Sequence, residues 1–291
     1  MRLAGAMVVL FVAVIAGGVG CDGHSNGSGS SVRTISAKRT NPTTFLRSDA
    51  RALNVSYAPI PPLPVKHFVT RGVYPRVSSP DMDLRAVNAA LRRTVLEDER
   101  RFRREMDLQE SQQPRKWRWH DRAIYQTWNP HRGSWGSPGG RILISASSVV
   151  VSALFPEWGQ PPRANAETYQ TFLSVTVRVP SGSPVAIVDL FAKPAQGLRA
   201  LAAAVRHQFA AKKAKGGPSL DYPGGLAPKA ENYRLFALTP SGLVIGFHDG
   251  VVAHPIFGPL KIRVPYSVLR PYLSDLGKRL VSGIRKPRFE N

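Results

Sequence analysis

The amino-acid sequence predicts an α+β fold, in which antiparallel sheets built from hairpins pack against two or three helices. Alternating segments occur in pairs joined by turns rich in Pro and Gly, as in Tyr169 to Val179 followed by Val185 to Leu190. Two long segments, 81–108 and 194–213, instead repeat apolar residues at helical spacing. No internal repeat is visible along the chain, so the pattern is that of a globular α+β protein.

The first twenty residues have the pattern of a secretory signal peptide. Met1 and Arg2 give a positive end, residues 3–15 are almost wholly apolar, and small residues follow. The apolar stretch is short against the roughly 20 residues that a bilayer-spanning helix needs. We therefore expect residues 1–20 to direct export.

Cys21 is the only cysteine, so no disulfide can form within the chain. Its position, directly after the small residues, resembles the bacterial lipoprotein signal, in which the cysteine sulfur takes a diacylglyceryl group. This resemblance implies a lipid anchor of palmitate-type chains on Cys21 and a place on the extracytoplasmic face of the membrane. The alternative is an ordinary signal peptide cleaved elsewhere, which gives a secreted protein.

Residues 21–55 are predicted to be a flexible tether with a basic extension. Residues 22–31 are rich in Gly and Ser, and residues 33–53 are basic and weakly apolar. A stiff, proline-rich spacer follows at Pro59 to Pro64.

The charge of the chain is strongly positive. There are 40 Lys and Arg residues against 19 Asp and Glu residues, which gives a net charge of +21. Such a charge attracts anionic partners at long range. Export argues against nucleic acid, so we expect an anionic wall polymer, phospholipid headgroups or an acidic protein. The alternative is a solvated surface that is rich in Arg without a ligand.

The first half of the body begins with a predicted strand at Val65 to Tyr74 and a helix at 81–108, which Asp81 or Asp83 can cap. The apolar face of the helix is Leu84, Val87, Leu91, Val95, Phe102 and Met106, and we expect its charged face, which includes Asp98 and Glu99, to be solvated. Residues 111–140 are predicted to be irregular. In this stretch Trp117, Arg118 and Trp119 form a candidate binding surface, since aromatic and cationic side chains alternate; the alternative is a hairpin whose tryptophans cover the core.

The second half contains most of the predicted hairpins. Its predicted strands are Ile142 to Val151, Tyr169 to Val179, Val185 to Leu190, Tyr233 to Leu238, Leu243 to Phe247 and Leu260 to Val264. Helices are predicted from Pro194 to about Lys213 and from Ser267 to Leu280, the latter kinked at Pro271. Residues 285–291 form a basic tail.

Several short segments of this body, in order, resemble the RsiV/PdaC-type extracellular domain. They are Tyr74 to Val77 with Val87 to Leu91, then Ser174 to Val177 with Val188 to Phe191, then Tyr233 to Phe247 with Gly258 to Tyr266. The resemblance implies an N-terminal part at 56–165 and a C-terminal RsiV-like part at 166–284, forming an ectodomain that senses or binds at the envelope. In RsiV the ligand is lysozyme, but lysozyme is cationic and a chain of charge +21 repels it.

The sequence contains no recognisable catalytic motif. It has no G-x-S-x-G elbow, no H-E-x-x-H helix and no phosphate-binding loop, so we expect no catalytic residue, no cofactor and no metal. The best polar cluster is His248, Asp249 and His254, a candidate binding site whose alternative is a plain surface loop.

Two functional hypotheses follow from these patterns. The first is a lipid-anchored, non-catalytic binding or sensing module for an anionic envelope ligand. The second is a secreted or surface hydrolase of the esterase type, acting on lipid or glycan esters, with Ser134 and Ser137 as poor candidate nucleophiles.

Overall fold

The structure is a computed structural model that describes residues 50–62, 67–112, 123–127, 142–160 and 169–289. Its strands are β1 (Asn54–Pro59), β2 (Phe68–Arg71), β3 (Val73–Ser78), β4 (Ala123–Thr127), β5 (Leu143–Ala146), β6 (Val150–Gln160), β7 (Tyr169–Arg178), β8 (Phe236–Thr239), β9 (Gly242–Phe247), β10 (Leu260–Val264) and β11 (Arg288–Phe289). Its helices are α1 (Arg85–Ser111), α2 (Pro194–Lys213), α3 (Tyr266–Leu269) and α4 (Asp275–Gly283). The predicted α+β class is confirmed.

The strands form three sheets. In the largest sheet the order is β2-β4-β6-β5, with β7 also paired to β6. The neighbours of β6 are all antiparallel to it, whereas β2 and β4 are parallel. The order is β10-β9-β8 in the second sheet, which is antiparallel, and β11-β1-β3 in the third.

The largest sheet lies between α1 and the second sheet. Odd-numbered residues of β6 and β7, such as Phe155 and Val175, share one hydrophobic core with α1. Even-numbered residues such as Leu154 and Phe172 pack instead on β8 and β9. Helix α2 contributes Leu201, Val205 and others to a third cluster on the second sheet. Because successive side chains of a strand point to opposite faces of the sheet, each of these strands contributes side chains to two layers.

Helix α1 forms where its apolar period predicts, but its start and its charged face differ from the prediction. Its first residue is Arg85 and the capping position is Leu84, while Asp83 accepts a hydrogen bond of 3.0 Å from the Arg85 backbone N–H. The prediction that the whole charged face is solvated is wrong, because Asp98 and Glu99 are buried. They can be buried because hydroxyl groups reach them: Tyr125 donates to Asp98 and Thr70 donates to Glu99.

Two predicted strands are broken by local turns. The segment 142–151 divides into β5 and β6 because the Ser147 hydroxyl accepts hydrogen bonds from the backbone N–H groups of Val149 and Val150, which closes a turn. The segment that begins at Val65 divides into β2 and β3 at Gly72, where φ is 105°. A side chain at this φ is strained, so glycine sets the break.

Two further predictions in the second half are corrected. The predicted strand from Val185 to Leu190 is a 3-10 turn at Ile187–Leu190, because the Asp189 carboxylate accepts from the Ala186 backbone N–H and turns the chain. The predicted final helix is three pieces, α3, a 3-10 turn at Arg270–Tyr272, and α4. Pro271 ends the first part, and the Ser274 hydroxyl caps α4 by accepting from Gly277.

The remaining strands of the second half follow the sequence pattern more closely. Helix α2 has the predicted bounds, and β7, β9 and β10 agree to within one residue with the predicted strands. Tyr233 ends a 3-10 turn, so β8 starts three residues later than predicted.

Three strands form where the sequence predicted none. Strand β1 begins at the end of the predicted tether and ends at the first residue of the predicted spacer, β4 lies in the predicted irregular region, and β11 lies in the predicted basic tail. The register pairs Val55 of β1 with Val77 of β3 and with Phe289 of β11. Within the described ranges, no helix is long and apolar enough to cross a membrane.

Candidate functional site

The loop after β9 carries the predicted polar cluster. His254 is exposed, and its backbone N–H donates to Asp221 Oδ2 over 2.8 Å. Its ring nitrogen Nδ1 accepts from the Ile256 backbone N–H over 3.3 Å, so this nitrogen shapes the loop. His248 is partly buried at the end of β9. Nowhere in the described ranges do three His, Cys, Asp or Glu side chains come together as a metal site.

His248 is held in its neutral form. Burial lowers the pKa of His248 to about 4, and the positive charges of Arg234 and Arg101 lower it further, against a smaller opposing effect of Asp98. A neutral imidazole gives an anionic ligand no charge to bind. Within the predicted cluster, His248 is therefore not a cationic binding residue at neutral pH.

We predict that His248 makes the protein sensitive to acid. Its folded pKa of about 4 lies below its ordinary 6.5, so the unfolded chain takes up a proton first as pH falls. Neutral His248 therefore contributes about 3 kcal/mol to the free energy of unfolding. This contribution is present above pH 6.5 and is lost as the pH falls through 4. Urea unfolding at several pH values should show that His248→Gln loses less stability on acidification than the parent.

The matched control for this prediction is His207→Gln. His207 is exposed on α2, so its substitution should leave the pH dependence of the parent chain intact. Equal acid sensitivity of His248→Gln and the parent would show that His248 is not the responsible group.

The basic end of α2 lies beside this loop. We call Lys212, Lys213 and Lys215 the lysine cluster; all three are exposed, and helix α2 contains no acidic residue. The charges of Lys213 and His254 both act on Asp221 and help to lower its pKa, after hydrogen bonds from Ser219 and the His254 backbone. The cluster and the loop are therefore neighbours.

The fold leaves the lysine cluster without an ion pair among the described residues, although Lys212 Nζ donates to Lys261 O over 3.0 Å and Lys213 acts electrostatically on Asp221. Among the described residues, the ion pairs involve Arg51, Arg85, Arg101, Arg103 and Lys278, and none includes a lysine of the cluster. Burial of the stem lowers the pKa of Lys212, and Lys212 in turn helps burial to lower the pKa of Lys261. Lys212 and Lys261 thus repel each other, and an anion placed beside them reduces this repulsion.

A cleft of about 690 Å³ opens beside α1. Its walls are α1, part of β7, the 182–188 segment and residues 230–236. Arg93 and Glu97 stand on one wall, and Glu231 and Arg234 on the other. Because each wall carries both signs of charge, the cleft does not select for an anion.

A buried pair of carboxyl groups ties α1 to the largest sheet. Burial raises the pKa of Glu157 well above its usual range, and the nearby Asp98 carboxylate raises it further. The Glu157 and Asp98 carboxyl groups are hydrogen-bonded to each other, and Asp98 also accepts from Tyr125 over 3.2 Å and from Arg101. Both carboxyl side chains are buried, so a substrate in this conformation does not reach them.

Several predicted site residues lie outside the described residues. These are Cys21, Trp117, Arg118 and Trp119, together with Ser134 and Ser137 of the hydrolase hypothesis. Their roles stay predictions, as does the hydrolase itself. The structure does bring His254 close to Asp221, a partner that the sequence pattern did not suggest.

Two features of this surface do not follow from the sequence pattern. The pattern predicts Lys212 and Lys213 only as the end of a helix. Ile256 and Phe257, which are exposed in the same loop, carried no prediction. A signal for them was present, since two bulky apolar residues between Pro255 and Gly258 are unusual in a polar loop.

Comparison with known proteins gives a family match for the C-terminal half. The model of the family described as "Protein of unknown function (DUF3298)" matches residues 188–267. No curated protein matches the chain. Among solved structures, a DUF3298 family member from Bacteroides fragilis has 12% identity and a TM-score of 0.46, covering 78% of this chain and 97% of that one. A DUF3298 family protein from Pseudomonas aeruginosa has 12% identity and a TM-score of 0.42, covering 78% of this chain and 94% of that one.

The matched segment includes the surface described above. It begins just before α2 and ends at the start of α3, so the lysine cluster and the loop after β9 both lie inside it. Residues 188–267 of this chain therefore match the DUF3298 family, whose function is not known.

Proposed function

We propose that this protein is a lipid-anchored, extracytoplasmic and non-catalytic module that binds or senses an anionic ligand of the cell envelope. The observation that carries the proposal is the exposed lysine cluster, which no carboxylate among the described residues pairs with. Its three positive charges are part of the net charge of +21 that the chain carries. Candidate ligands share negative charge: a wall polymer, phospholipid headgroups or an acidic protein.

The predicted N-terminus supports the same proposal. A lipid on Cys21, followed by a Gly/Ser-rich tether, holds the body beside an anionic surface. The resemblance to RsiV/PdaC-type ectodomains supports a binding or sensing role at that place. A diacylglyceryl group carries two acyl chains and anchors stably by itself, and the lysine cluster adds a second attachment of electrostatic type.

Fractionation of cells that express four forms of the chain tests the proposal. The forms are the parent, Cys21→Ser, the triple variant Lys212→Gln/Lys213→Gln/Lys215→Gln, and the combination of both. The parent should stay in the membrane fraction at low and at high salt. Cys21→Ser should stay at low salt and leave at high salt, because screening weakens charge attraction.

The combined form decides whether the lysine cluster is the electrostatic contact. It should be released even at low salt, since each lysine near an anionic surface contributes about 1 kcal/mol. The mass of the N-terminus of each form shows whether the leader was removed. If cleaved Cys21→Ser is released at low salt, the envelope does not hold the domain by charge; if it stays at high salt, the anchor is not a lipid on Cys21.

A further inference from the structure

The tip of the loop after β9 presents apolar side chains to solvent. Ile256 is 81% exposed and Phe257 is 42% exposed, and both belong to a short 3-10 turn at Pro255–Phe257. Tyr222, 40% exposed, lies on the adjacent segment, where its backbone N–H donates to Val252 O. Burying such side chains elsewhere is favourable, so this tip is a candidate contact surface.

The apolar tip is held in place by the fold. Asp221 fixes the His254 backbone, and the backbone N–H groups of Phe257 and Gly258 donate to His254 O and Pro255 O. Gly258 ends the turn with φ of 61° and ψ of −164°, a conformation that is essentially restricted to glycine. The exposure of Ile256 is therefore built into a defined turn.

The lysine cluster lies close to the base of the loop. Lys212 Nζ donates to Lys261 O over 3.0 Å, four residues after Phe257, and Asp221, six residues after Lys215, bonds to the loop through the backbones of Val252 and His254. An exposed apolar tip beside lysines matches the surface of an anionic bilayer, whose headgroups are negative and whose acyl region is apolar. A soluble wall polymer or an acidic protein patch pairs with the lysines but leaves Ile256 in water.

We propose that Ile256 and Phe257 insert into the headgroup layer of a membrane that contains anionic phospholipids, while the lysine cluster contacts the phosphates. This inference rests on the proposed function and names its ligand. The domain then lies with this loop against the membrane that also holds its anchor. Both contacts act together, since apolar burial and electrostatic attraction add in interfacial binding.

Vesicle binding by the mature chain from residue 21 onward, without the predicted leader and carrying Cys21→Ser, tests this inference. One set of vesicles is pure phosphatidylcholine, and the other contains phosphatidylglycerol. The parent should bind only the second set, and Ile256→Ser/Phe257→Ser should bind it about tenfold or more weakly. The lysine triple variant should bind it roughly a hundredfold more weakly. Leu108→Ser is the matched control, because Leu108 is 59% exposed on α1, and it should bind as the parent does.

A labelling experiment reports the insertion directly. In the Cys21→Ser background, Ile256→Cys and, separately, Leu108→Cys each introduce the only thiol of the chain. A polarity-sensitive dye on position 256 should shift to shorter wavelength and resist aqueous quenchers when anionic vesicles are added. The dye on position 108 should remain accessible to the quencher.

The outcomes separate this inference from the proposed function. If the serine double variant binds anionic vesicles as tightly as the parent, or if only the dye on position 108 is protected, membrane insertion of the tip is overturned. Binding to a soluble anionic wall polymer but not to vesicles also overturns the insertion and leaves the proposed function standing. Binding of the parent to neither ligand overturns both.

Discussion

Gly197→Leu is expected to destabilise the protein by about 3 kcal/mol or more. Gly197 lies in the first turn of α2, and a Cβ atom there comes within 2.1 Å of the Phe191 ring and 2.6 Å of Phe191 Cβ. Phe191 is only 4% exposed and is bridged to Leu273, so the ring has little room to move. Urea unfolding followed by circular dichroism measures the loss.

A double-mutant cycle tests the physical reason for this loss. Phe191→Ala alone should cost about 3–5 kcal/mol, because it leaves a cavity. Combined with Gly197→Leu, the cost should be clearly below the sum, since the new leucine fills the space of the removed ring. Additive costs would show that Gly197 is needed for a reason other than contact with Phe191.

The control for this cycle is the same change at an open position. A Cβ atom on Gly224 meets no other atom within 4 Å, so Gly224→Leu should change stability by no more than about 0.5 kcal/mol. A large loss at both glycines would indicate a general effect of leucine in the unfolded chain.

Phe102→Ala is expected to cost about 3–5 kcal/mol. Phe102 is 1% exposed on α1, and its ring centroid lies 5.5 Å from that of Phe68 and 5.8 Å from that of Tyr125. These three aromatic rings join α1 to two strands of the largest sheet, so removing the central ring leaves a cavity between layers. Chemical unfolding monitored in the near ultraviolet reports both the stability and the aromatic packing.

Leu108→Ala is the matched control on the same helix. Leu108 is 59% exposed, so its truncation should change stability by at most about 0.5 kcal/mol. A loss below about 1 kcal/mol for Phe102→Ala would mean that the cavity collapses and that the aromatic cluster does not hold α1 in place.

Much of the candidate surface could not be predicted from the sequence. His248, Asp249 and His254 were found as a polar group because they are close in sequence. The lysine cluster and the Ile256–Phe257 tip are separated by about forty residues, and long-range hydrogen bonds, such as those from the His254 backbone to Asp221 and from Lys212 Nζ to Lys261 O, bring them together. Sequence spacing does not report such contacts, since they depend on how two loops pack.

The sequence by itself determined the α+β class, the bounds of α2 and the strands β7, β9 and β10. These elements are long or strongly periodic, and their apolar faces alone specify their type. Sequence also determines the large positive charge, because no fold changes the number of lysines and arginines.

Only the tertiary structure determined that the short strands form and that two acidic residues on α1 are buried. Strands β1, β4 and β11 form because neighbours offer backbone hydrogen bonds, which their own sequences do not reveal. Asp98 and Glu99 are buried because Tyr125 and Thr70, distant in sequence, supply the donors that make burial of a carboxyl group tolerable. The local hydrophobic pattern determines the type of each long helix and strand. Hydrogen-bond partners that are distant in sequence determine which polar side chains are buried.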